Sequence, residues 1–244
     1  MREQSYVKTR IYFIRHGETD YNVQHRFQGS TDNPLNERGL EQASCLWSPM
    51  SKFHLDKIYV SPYKRTMQTA KQVLAGRDIP VIPEPKLSEI HCGQWEGLVR
   101  TEIEERWPGM IDLWEHRPDE LHMPDGESFK QVQDRSVQAL KEILEKEAGK
   151  SVAIVTHMLT IQLIMSKLLG IPIREVWKMV RLENTSITTI DFSSNKEFEV
   201  IKWGEDSHLH EHLKNSYVRI AGFVQKDHAK YDTSVIEGKH PFTL

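Results

Sequence analysis

The sequence predicts an α/β fold, a three-layer sandwich in which a mostly parallel central sheet lies between two layers of helices. Two observations lead to this prediction. Short β-rich runs alternate along the chain with stretches of helical periodicity, an order typical of parallel sheets with crossover helices. Residues 151–156 form a continuous apolar run, which is typical of a strand that is buried on both faces.

A strand, a helix and a second strand begin the predicted fold. Residues 10–15 form a β-rich run that ends before Gly17 and predicts the first strand. A helix is expected over residues 36–50, because apolar residues recur there at helical spacing. Its inward face is expected to consist of Leu40, Ala43, Leu46 and Trp47. Residues 56–61 predict the second strand.

Ser61 and Pro62 predict the start of the next helix, because serine caps helices and proline is tolerated at the first helical position. This helix is expected to continue to Gly76. Its inward side chains are expected to be Met67, Ala70, Val73 and Leu74. Residues 81–90 are extended in character but contain two prolines, so they predict an edge strand or an ordered loop.

The second half of the chain repeats the pattern of helix and strand. Ser128 and Gln131 form a capping box at the start of a helix that is expected to extend to about residue 148. The core side chains of this helix are expected to be Phe129, Val132, Leu140, Ile143 and Leu144.

A buried strand over residues 151–156 leads into a helix that follows His157 and is apolar nearly all round. This helix is expected to end at Gly170, because glycine is the usual residue just beyond a helix C-terminus. Two more strands are expected near residues 186–192 and 198–203.

We predict a single α/β domain over residues 1–204, because no repeat, low-complexity tract or linker divides the chain. Residues at about 91–126 are irregular and rich in tryptophan. They are expected to form a lid-like insert that either covers the site or belongs to the core. Residues 205–244 lack strong periodicity and are expected to form a C-terminal arm or tail.

Composition and charge exclude several classes of protein. The net charge of −3 gives no reason to expect binding to nucleic acid or to a membrane surface. The first ten residues are polar, and no apolar run approaches the length of a membrane span. Cys45 and Cys92 form no CxxC pair, so neither a disulfide framework nor a thiolate metal site is indicated. We expect a cytoplasmic protein that exists as a monomer or homodimer.

Residues with catalytic potential follow several of the predicted strands. Arg15 and His16 end the first strand, and Arg65 lies shortly after the second. Glu89 closes the extended run before the insert, and His157 follows the buried apolar strand. Because ligands of open α/β sheets bind beyond the carboxyl ends of the strands, we expect these five residues to share one pocket.

Such a pocket is suited to phosphoryl transfer. Two guanidinium groups have the planar geometry that binds phosphate oxygens. Positive charge around an imidazole keeps it neutral, with one ring nitrogen free to attack phosphorus. Glu89 would protonate the leaving oxygen and later activate water, although Glu18, Glu84 and Glu96 compete for this role. The expected partner is a small phosphorylated metabolite.

Five segments combine into a recognisable set of motifs. They are Arg15-His16-Gly17-Glu18-Thr19 with Asn22 and Arg26-Phe27-Gln28-Gly29, the run of residues 61–70, Leu87-Ser88-Glu89 with residues 93–97, residues 124–128, and Val155-Thr156-His157. Together they resemble the histidine phosphatase superfamily in its phosphoglycerate-mutase-like branch, and specifically the broad-specificity phosphatase type. The resemblance covers roughly residues 10–203.

The resemblance implies a role for each matching residue. His16 would be the phosphorylated nucleophile and Glu89 the general acid and base. Arg15, Arg65 and His157 would clamp the phosphoryl group, and the residues that line the phosphate and substrate pocket would include Asn22, Gln28 and Gly29. No metal and no cofactor is implied.

One residue departs from the family pattern. Members of this family usually have glycine after the second histidine, whereas this chain has Met158. Methionine adds a Cβ atom and a flexible side chain, so we expect a narrower pocket. The histidines of residues 208–212 invite a metal site, but their alternating spacing in a polar tail favours solvated side chains.

Three functions are compatible with these residues. The first is a phosphatase, in which water attacks phospho-His16. The second is a phosphoglycerate mutase that returns the phosphoryl group to another hydroxyl, and the third is a catalytically weak protein that binds phospho-ligands. The compact segment between Glu89 and His157 is similar to the phosphatases of the family, so phosphatase is the preferred prediction.

Overall fold

Seven strands form the central sheet of the protein, whose computed structural model describes residues 7–214 and 238–241. In chain order the strands are β1 (Lys8–Arg15), β2 (Lys57–Val60), β3 (Val81–Pro83), β4 (Ser151–Thr156), β5 (Ile187–Ser193), β6 (Glu197–Glu205) and β7 (Lys239–Pro241). Across the sheet they lie in the order β3-β2-β4-β1-β5-β6-β7.

The sheet has a parallel half and an antiparallel half. β3, β2, β4 and β1 are parallel to one another, whereas β5, β6 and β7 are antiparallel to their neighbours. The predicted α/β class is confirmed, and β3 is an edge strand as expected. The parallel half provides the adjacent carboxyl-terminal strand ends at which the candidate site is expected.

Helices cover both faces of this sheet. They are α1 (Asp20–Val23), α2 (Glu37–Ser44), α3 (Trp47–Ser51), α4 (Lys64–Val73), α5 (Arg100–Arg106), α6 (Met110–His116), α7 (Phe129–Lys146) and α8 (Met158–Leu169). In the described ranges, no helix is both long enough and apolar enough to cross a membrane.

Two apolar clusters occupy the two faces and confirm the three layers. Ile14 and Val155 pack with residues of α3 and α4 on one face. Phe13 and Ile154, the neighbouring positions of the same strands, pack with α7 and α8 on the other face. Successive side chains of a strand point to opposite faces, so β1 and β4 are buried on both sides.

Two separate helices, α2 and α3, replace the single helix predicted over residues 36–50. The predicted inward face is wrong for Leu40 and Trp47, which are 46% and 50% exposed. Gly39 packs against the backbone of Glu18, where a Cβ atom would overlap it. This close contact turns the Gly39 face of α2 inward, and Leu40 therefore faces outward.

The start predicted for the next helix is also wrong. α4 has Tyr63 at its N-cap position, so Ser61 is not the cap. The Ser61 hydroxyl instead lies 2.8 Å from Nε2 of His157 and forms a hydrogen bond with that ring. Met67 is 39% exposed against the prediction, whereas the other predicted inward residues are fully or partly buried.

The helices of the second half agree with the prediction. Ser128 and Gln131 form the capping box at the start of α7. α8 ends at Gly170, whose φ of 66° lies in the left-handed region that favours glycine.

The described part of the predicted C-terminal arm packs on the domain. β6 continues to Glu205, and a 3₁₀ turn follows at Glu211–Leu213. Leu209 and Leu213 are 5% and 1% exposed. We call residues 206–214 the docked segment. β7 pairs with β6, and the rest of the predicted arm, residues 215–237 and 242–244, lies outside the described residues.

Candidate active site

A cavity of about 140 Å³ opens beside the ends of the parallel strands. Its wall has a polar part and an apolar part. The lining residues are Arg15, His16, Asn22, Arg26, Phe27, Gln28, Gly29, Glu89, Ile90, Cys92, Trp114, Met158, Leu159 and Trp177. Six of the eight predicted site residues therefore lie on one wall, although they are distant in sequence.

His16 lies directly after β1 and is held there by its backbone. Its N–H donates to the carbonyl of Thr156 on β4 at 3.0 Å. Its own carbonyl accepts from Nδ2 of Asn184 at 2.8 Å. The side chain is only 3% exposed, so packing determines the direction of the ring.

The two ring nitrogens of His16 have different roles. Nδ1 lies 2.6 Å from the carbonyl oxygen of Gly17, which can only accept, so Nδ1 carries the proton. Nε2 therefore keeps its lone pair. Burial, reinforced by the charges of Arg65 and Arg15, lowers the pKa of His16 well below its usual range. The imidazole is neutral at physiological pH and has one nucleophilic nitrogen.

Arg15 places positive charge on the same wall. Its Nη1 donates to the carbonyl of Leu182 at 2.6 Å, whereas its buried Nε has no partner among the described residues. Burial lowers the pKa of Arg15 to about 10, so the side chain still carries its charge at neutral pH. A buried cation with an unused donor is suited to bind an anionic ligand.

Arg65 and His157 form a buried pair beside His16, and the two histidine ring centroids lie 5.1 Å apart. Nε of Arg65 donates to Nδ1 of His157 at 3.3 Å. Nε2 of His157 therefore carries the proton that it donates to Ser61. Burial, with the charge of Arg65, lowers the pKa of His157 well below its usual range, so this ring is also neutral.

The guanidinium nitrogens Nη1 and Nη2 of Arg65 bond the loop beside the cavity. Nη1 and Nη2 donate to the carbonyls of Thr31 and Gly29 at 2.8 and 2.9 Å. Neither Arg65 nor His157 lines the cavity. The structure brings both residues next to His16, and their role as direct ligands of the phosphoryl group stays a prediction.

Glu89 enters the cavity from the loop that follows β3. Its Oε1 accepts from the backbone N–H of Ile90 at 3.1 Å and from the hydroxyl of Thr160 at 3.2 Å. These bonds leave Oε2 to carry a proton. Burial raises the pKa of Glu89, and a carboxyl group that keeps its proton nearer neutral pH is suited to act as a general acid.

The competing glutamates are bonded to structural groups. Glu18 accepts from Arg38 Nη1 at 2.7 Å, and Glu84 accepts from the backbone N–H of Lys86 at 3.0 Å. Glu96 accepts from the backbone N–H of Ser30 at 2.8 Å. None of these three lines the cavity, so Glu89 is the best placed of the four.

Asn22 and Gln28 line the cavity. Their side-chain oxygens accept hydrogen bonds from Thr19. The backbone N–H of Thr19 donates to Asn22 Oδ1 at 3.1 Å, and its hydroxyl donates to Gln28 Oε1 at 2.7 Å. The hydrogen bonds thus assign the oxygens and leave the two amide nitrogens for a ligand. Gly29 follows with a φ of 51°, and a Cβ atom there would overlap the carboxylate of Glu96.

Aromatic rings form the apolar part of the wall. Trp114 packs against Phe27 and against Trp177, in both cases with ring centroids 5.0 Å apart. Trp114 belongs to the insert at 91–126, whereas Trp95 of the same insert is fully buried. The insert therefore contributes residues both to the core and to the cavity wall.

Arg135 is a supporting residue that the sequence analysis missed. From α7 it donates to the carbonyls of Ser88 and Glu89 at 2.7 and 3.0 Å, and it pairs with Glu127. These bonds hold the loop that presents the Glu89 carboxyl group. Nothing in the local pattern of α7 distinguishes Arg135 from an exposed helical arginine.

The histidines near the C-terminus have separate surroundings. The ring of His208 lies 3.4 Å from the hydroxyl of Thr185. His210 and His212 stack on each other with ring centroids 5.9 Å apart. Within the described ranges, no group of three or more His, Cys, Asp or Glu residues is arranged to hold a metal ion.

Sequence and fold comparisons relate the chain to known proteins. The family model described as histidine phosphatase superfamily (branch 1) matches residues 11–206. Phosphoserine phosphatase 1 of Hydrogenobacter thermophilus is 31% identical over 202 residues, which are 83% of this chain and 95% of that protein. The probable phosphoglycerate mutase GpmB of Serratia proteamaculans is 32% identical over 185 residues, 74% of this chain and 84% of that protein.

A solved structure has the same fold. YhfR of Bacillus stearothermophilus superposes with a TM-score of 0.80 at 35% sequence identity, covering 83% of this chain and 100% of that one. The resemblance predicted from the sequence motifs is confirmed.

Proposed function

Because the chain belongs to the histidine phosphatase superfamily, we propose that it hydrolyses small phosphomonoesters and carries the phosphoryl group on His16. One observation supports this most: the neutral imidazole of His16, with Nε2 free, shares a cavity with Arg15 and Glu89. Phosphoryl transfer depends mainly on positioning and on stabilisation of charge, and these side chains supply both.

The first step transfers the phosphoryl group to the protein. Nε2 of His16 attacks phosphorus, and the bond between phosphorus and the ester oxygen breaks. Glu89 gives its proton to that oxygen, which leaves as an alcohol. The charge of Arg15, with that of buried Arg65, stabilises the phosphoryl oxygens, and the Gly17 carbonyl accepts a hydrogen bond from Nδ1–H of the phosphorylated ring.

The second step regenerates the protein. The Glu89 carboxylate takes a proton from a water molecule, whose oxygen attacks phosphorus. The bond between phosphorus and Nε2 of His16 breaks, and inorganic phosphate leaves. Glu89 is again protonated and His16 is again neutral, so the cycle is balanced.

Water is the preferred acceptor in this proposal. A relative with 95% of its length aligned is named a phosphoserine phosphatase, which supports hydrolysis. A relative named a probable phosphoglycerate mutase makes transfer to a second hydroxyl the alternative. The leaving group would lie against Phe27, Trp114 and Trp177, which favours a substrate with some apolar surface.

Two rates distinguish hydrolysis from transfer. Phosphate release should be measured on phosphoserine, p-nitrophenyl phosphate and 3-phosphoglycerate, together with interconversion of 3-phosphoglycerate and 2-phosphoglycerate. We expect release from the best substrate to exceed interconversion by at least about 10-fold in kcat/KM. Interconversion faster than release would replace the phosphatase by a mutase, and no turnover of any ester would favour a binding protein.

Met158 limits the size of the leaving group in this proposal, because it is the first residue of α8 and lines the cavity. We expect Met158→Gly to raise kcat/KM for naphthyl phosphate relative to p-nitrophenyl phosphate by up to about 10-fold. The variant should lose about 1 kcal/mol of stability, because glycine disfavours helix. Met110→Gly is the matched control, since Met110 is the first residue of α6 and does not line the cavity. An unchanged substrate ratio in Met158→Gly would contradict the role.

We also propose that the protein acts in the cytoplasm. Cys45 and Cys92 are free thiols, a state that a reducing compartment maintains. The monomeric or homodimeric state stays a prediction.

A further inference from the structure

Side chains that form hydrogen bonds to both partners connect the docked segment (residues 206–214) with the residues around His16. We call residues 16–19 the nucleophile loop. Leu209 and Leu213 anchor the segment in the core, and its backbone carbonyls face α2. Because α2 also packs on the nucleophile loop, it connects the two.

Gln42 of α2 is the first bridge. Its side chain is completely buried. Oε1 accepts from the backbone N–H of Glu18 at 2.9 Å, and Nε2 donates to the carbonyl of Leu213 at 2.8 Å. Each end of the amide therefore meets the complementary group, and neither neighbour would tolerate a flipped amide.

Arg38 of α2 is the second bridge. Nη1 donates to the Glu18 carboxylate at 2.7 Å, and Nη2 donates to the carbonyls of His212 and Lys214 at 3.1 and 2.8 Å. The Glu18 carboxylate is 2% exposed, so this ion pair is weakly screened on the Glu18 side. Glu18 is thus held at its backbone by one bridge and at its side chain by the other.

A third contact connects the docked segment with the backbone at Arg15 and His16. His208 of the docked segment lies against the hydroxyl of Thr185, 3.4 Å away. The backbone N–H of Thr185 donates to the carbonyl of Arg15 at 3.0 Å. Thr185 has a φ of 63°, a strained value for a β-branched residue, which persists only where neighbouring groups enforce it.

These contacts lead to one inference, which depends on the proposed function. We propose that Gln42 and Arg38 are positioning residues, and that through them the docked segment holds His16 at the angle and distance that attack on phosphorus requires. Neither side chain lines the cavity, and the proposal gives neither a contact with the substrate. Misplacement of a nucleophile by about 1 Å is enough to reduce a rate about 100-fold.

Two variants test the proposal in the full-length protein. Gln42→Leu keeps the approximate volume but removes both hydrogen bonds, and Arg38→Ala removes the second bridge at a partly exposed position. We expect kcat for p-nitrophenyl phosphate, per folded molecule, to fall about 10- to 100-fold in Gln42→Leu and at least about 5-fold in Arg38→Ala. KM should change less than about 3-fold, because the groups that bind the ester remain.

Two matched variants separate positioning from stability. Gln133 is a buried glutamine that donates to the Leu163 carbonyl and to Ser166, and Arg77 donates to three backbone carbonyls. Neither bonds a residue of the site. Gln133→Leu and Arg77→Ala should reduce thermal stability about as much as the test variants while kcat per folded molecule stays within about 2-fold of wild type.

The outcomes are distinguishable. A kcat within 2-fold of wild type in both Arg38→Ala and folded Gln42→Leu would overturn the positioning role and leave the phosphatase proposal intact. If Gln42→Leu does not fold, Arg38→Ala decides alone. A wild-type protein that turns over no phosphomonoester would instead overturn the proposed function on which the inference rests.

Discussion

Replacement of His16 by alanine is expected to reduce phosphate release from p-nitrophenyl phosphate by at least about 10⁴-fold, because His16 lines the cavity and supplies the attacking nitrogen. His157 is close, but Arg65 and Ser61 occupy both of its ring nitrogens. Stopped reactions with ³²P-labelled substrate should show acid-labile, base-stable label on wild-type protein and none on His16→Ala.

His54→Ala is the control for this loss. His54 is exposed, pairs with Asp56 and does not line the cavity, so its replacement should leave both activity and labelling unchanged. Persistent labelling of His16→Ala would show that the phosphoryl group is carried by another residue and would refute the assignment of the nucleophile.

Glu89→Gln is expected to lower kcat/KM for phosphoserine by about 10³-fold, because glutamine cannot give a proton to the leaving oxygen. The loss should be smaller for p-nitrophenyl phosphate, whose leaving group departs as a stabilised anion. Comparison of the two substrates in wild type and variant measures the effect. An equal loss on both would indicate a binding role for Glu89 instead.

The dependence of kcat/KM on pH gives a second test of Glu89 as the general acid. The protonated carboxyl group is the active form in the first step, and burial raises its pKa. kcat/KM of the wild type should therefore fall as pH rises through that pKa, and this decline should be absent in Glu89→Gln. Glu84→Gln, which alters a glutamate outside the cavity, should keep the wild-type profile. As the pH falls, the His16 ring stays neutral even below a pH of about 6.5, the ordinary pKa of histidine, because its own pKa is lowered.

Local patterns were sufficient to predict most of the elements and the strand ends after which candidate site residues lie. His16, Glu89 and His157 each follow a strand or extended run, and the carboxyl ends of the parallel strands lie at the same end of the sheet. A capping residue such as Ser128 likewise bonds backbone only a few positions further along the chain. These features could be predicted because their causes lie within a short stretch of sequence.

Features with distant causes could not be predicted. Leu40 faces outward because Gly39 must contact the backbone of Glu18, about twenty residues away in the chain. Ser61 does not cap the helix because its hydroxyl contacts His157, which follows a different strand. The support that Arg135 gives to the Glu89 loop likewise joins segments whose proximity only the folded chain creates.

The edge strands of the sheet have a consequence for how the protein associates. Of the strands that the structure describes, β3 and β7 lie at the edges, and each is three residues long and ends in a proline. Proline cannot donate to an added strand, and such a short edge offers little template for one. Recruitment of a foreign strand, the first step of edge-to-edge aggregation, is therefore disfavoured, and we expect any self-assembly to use helix surfaces.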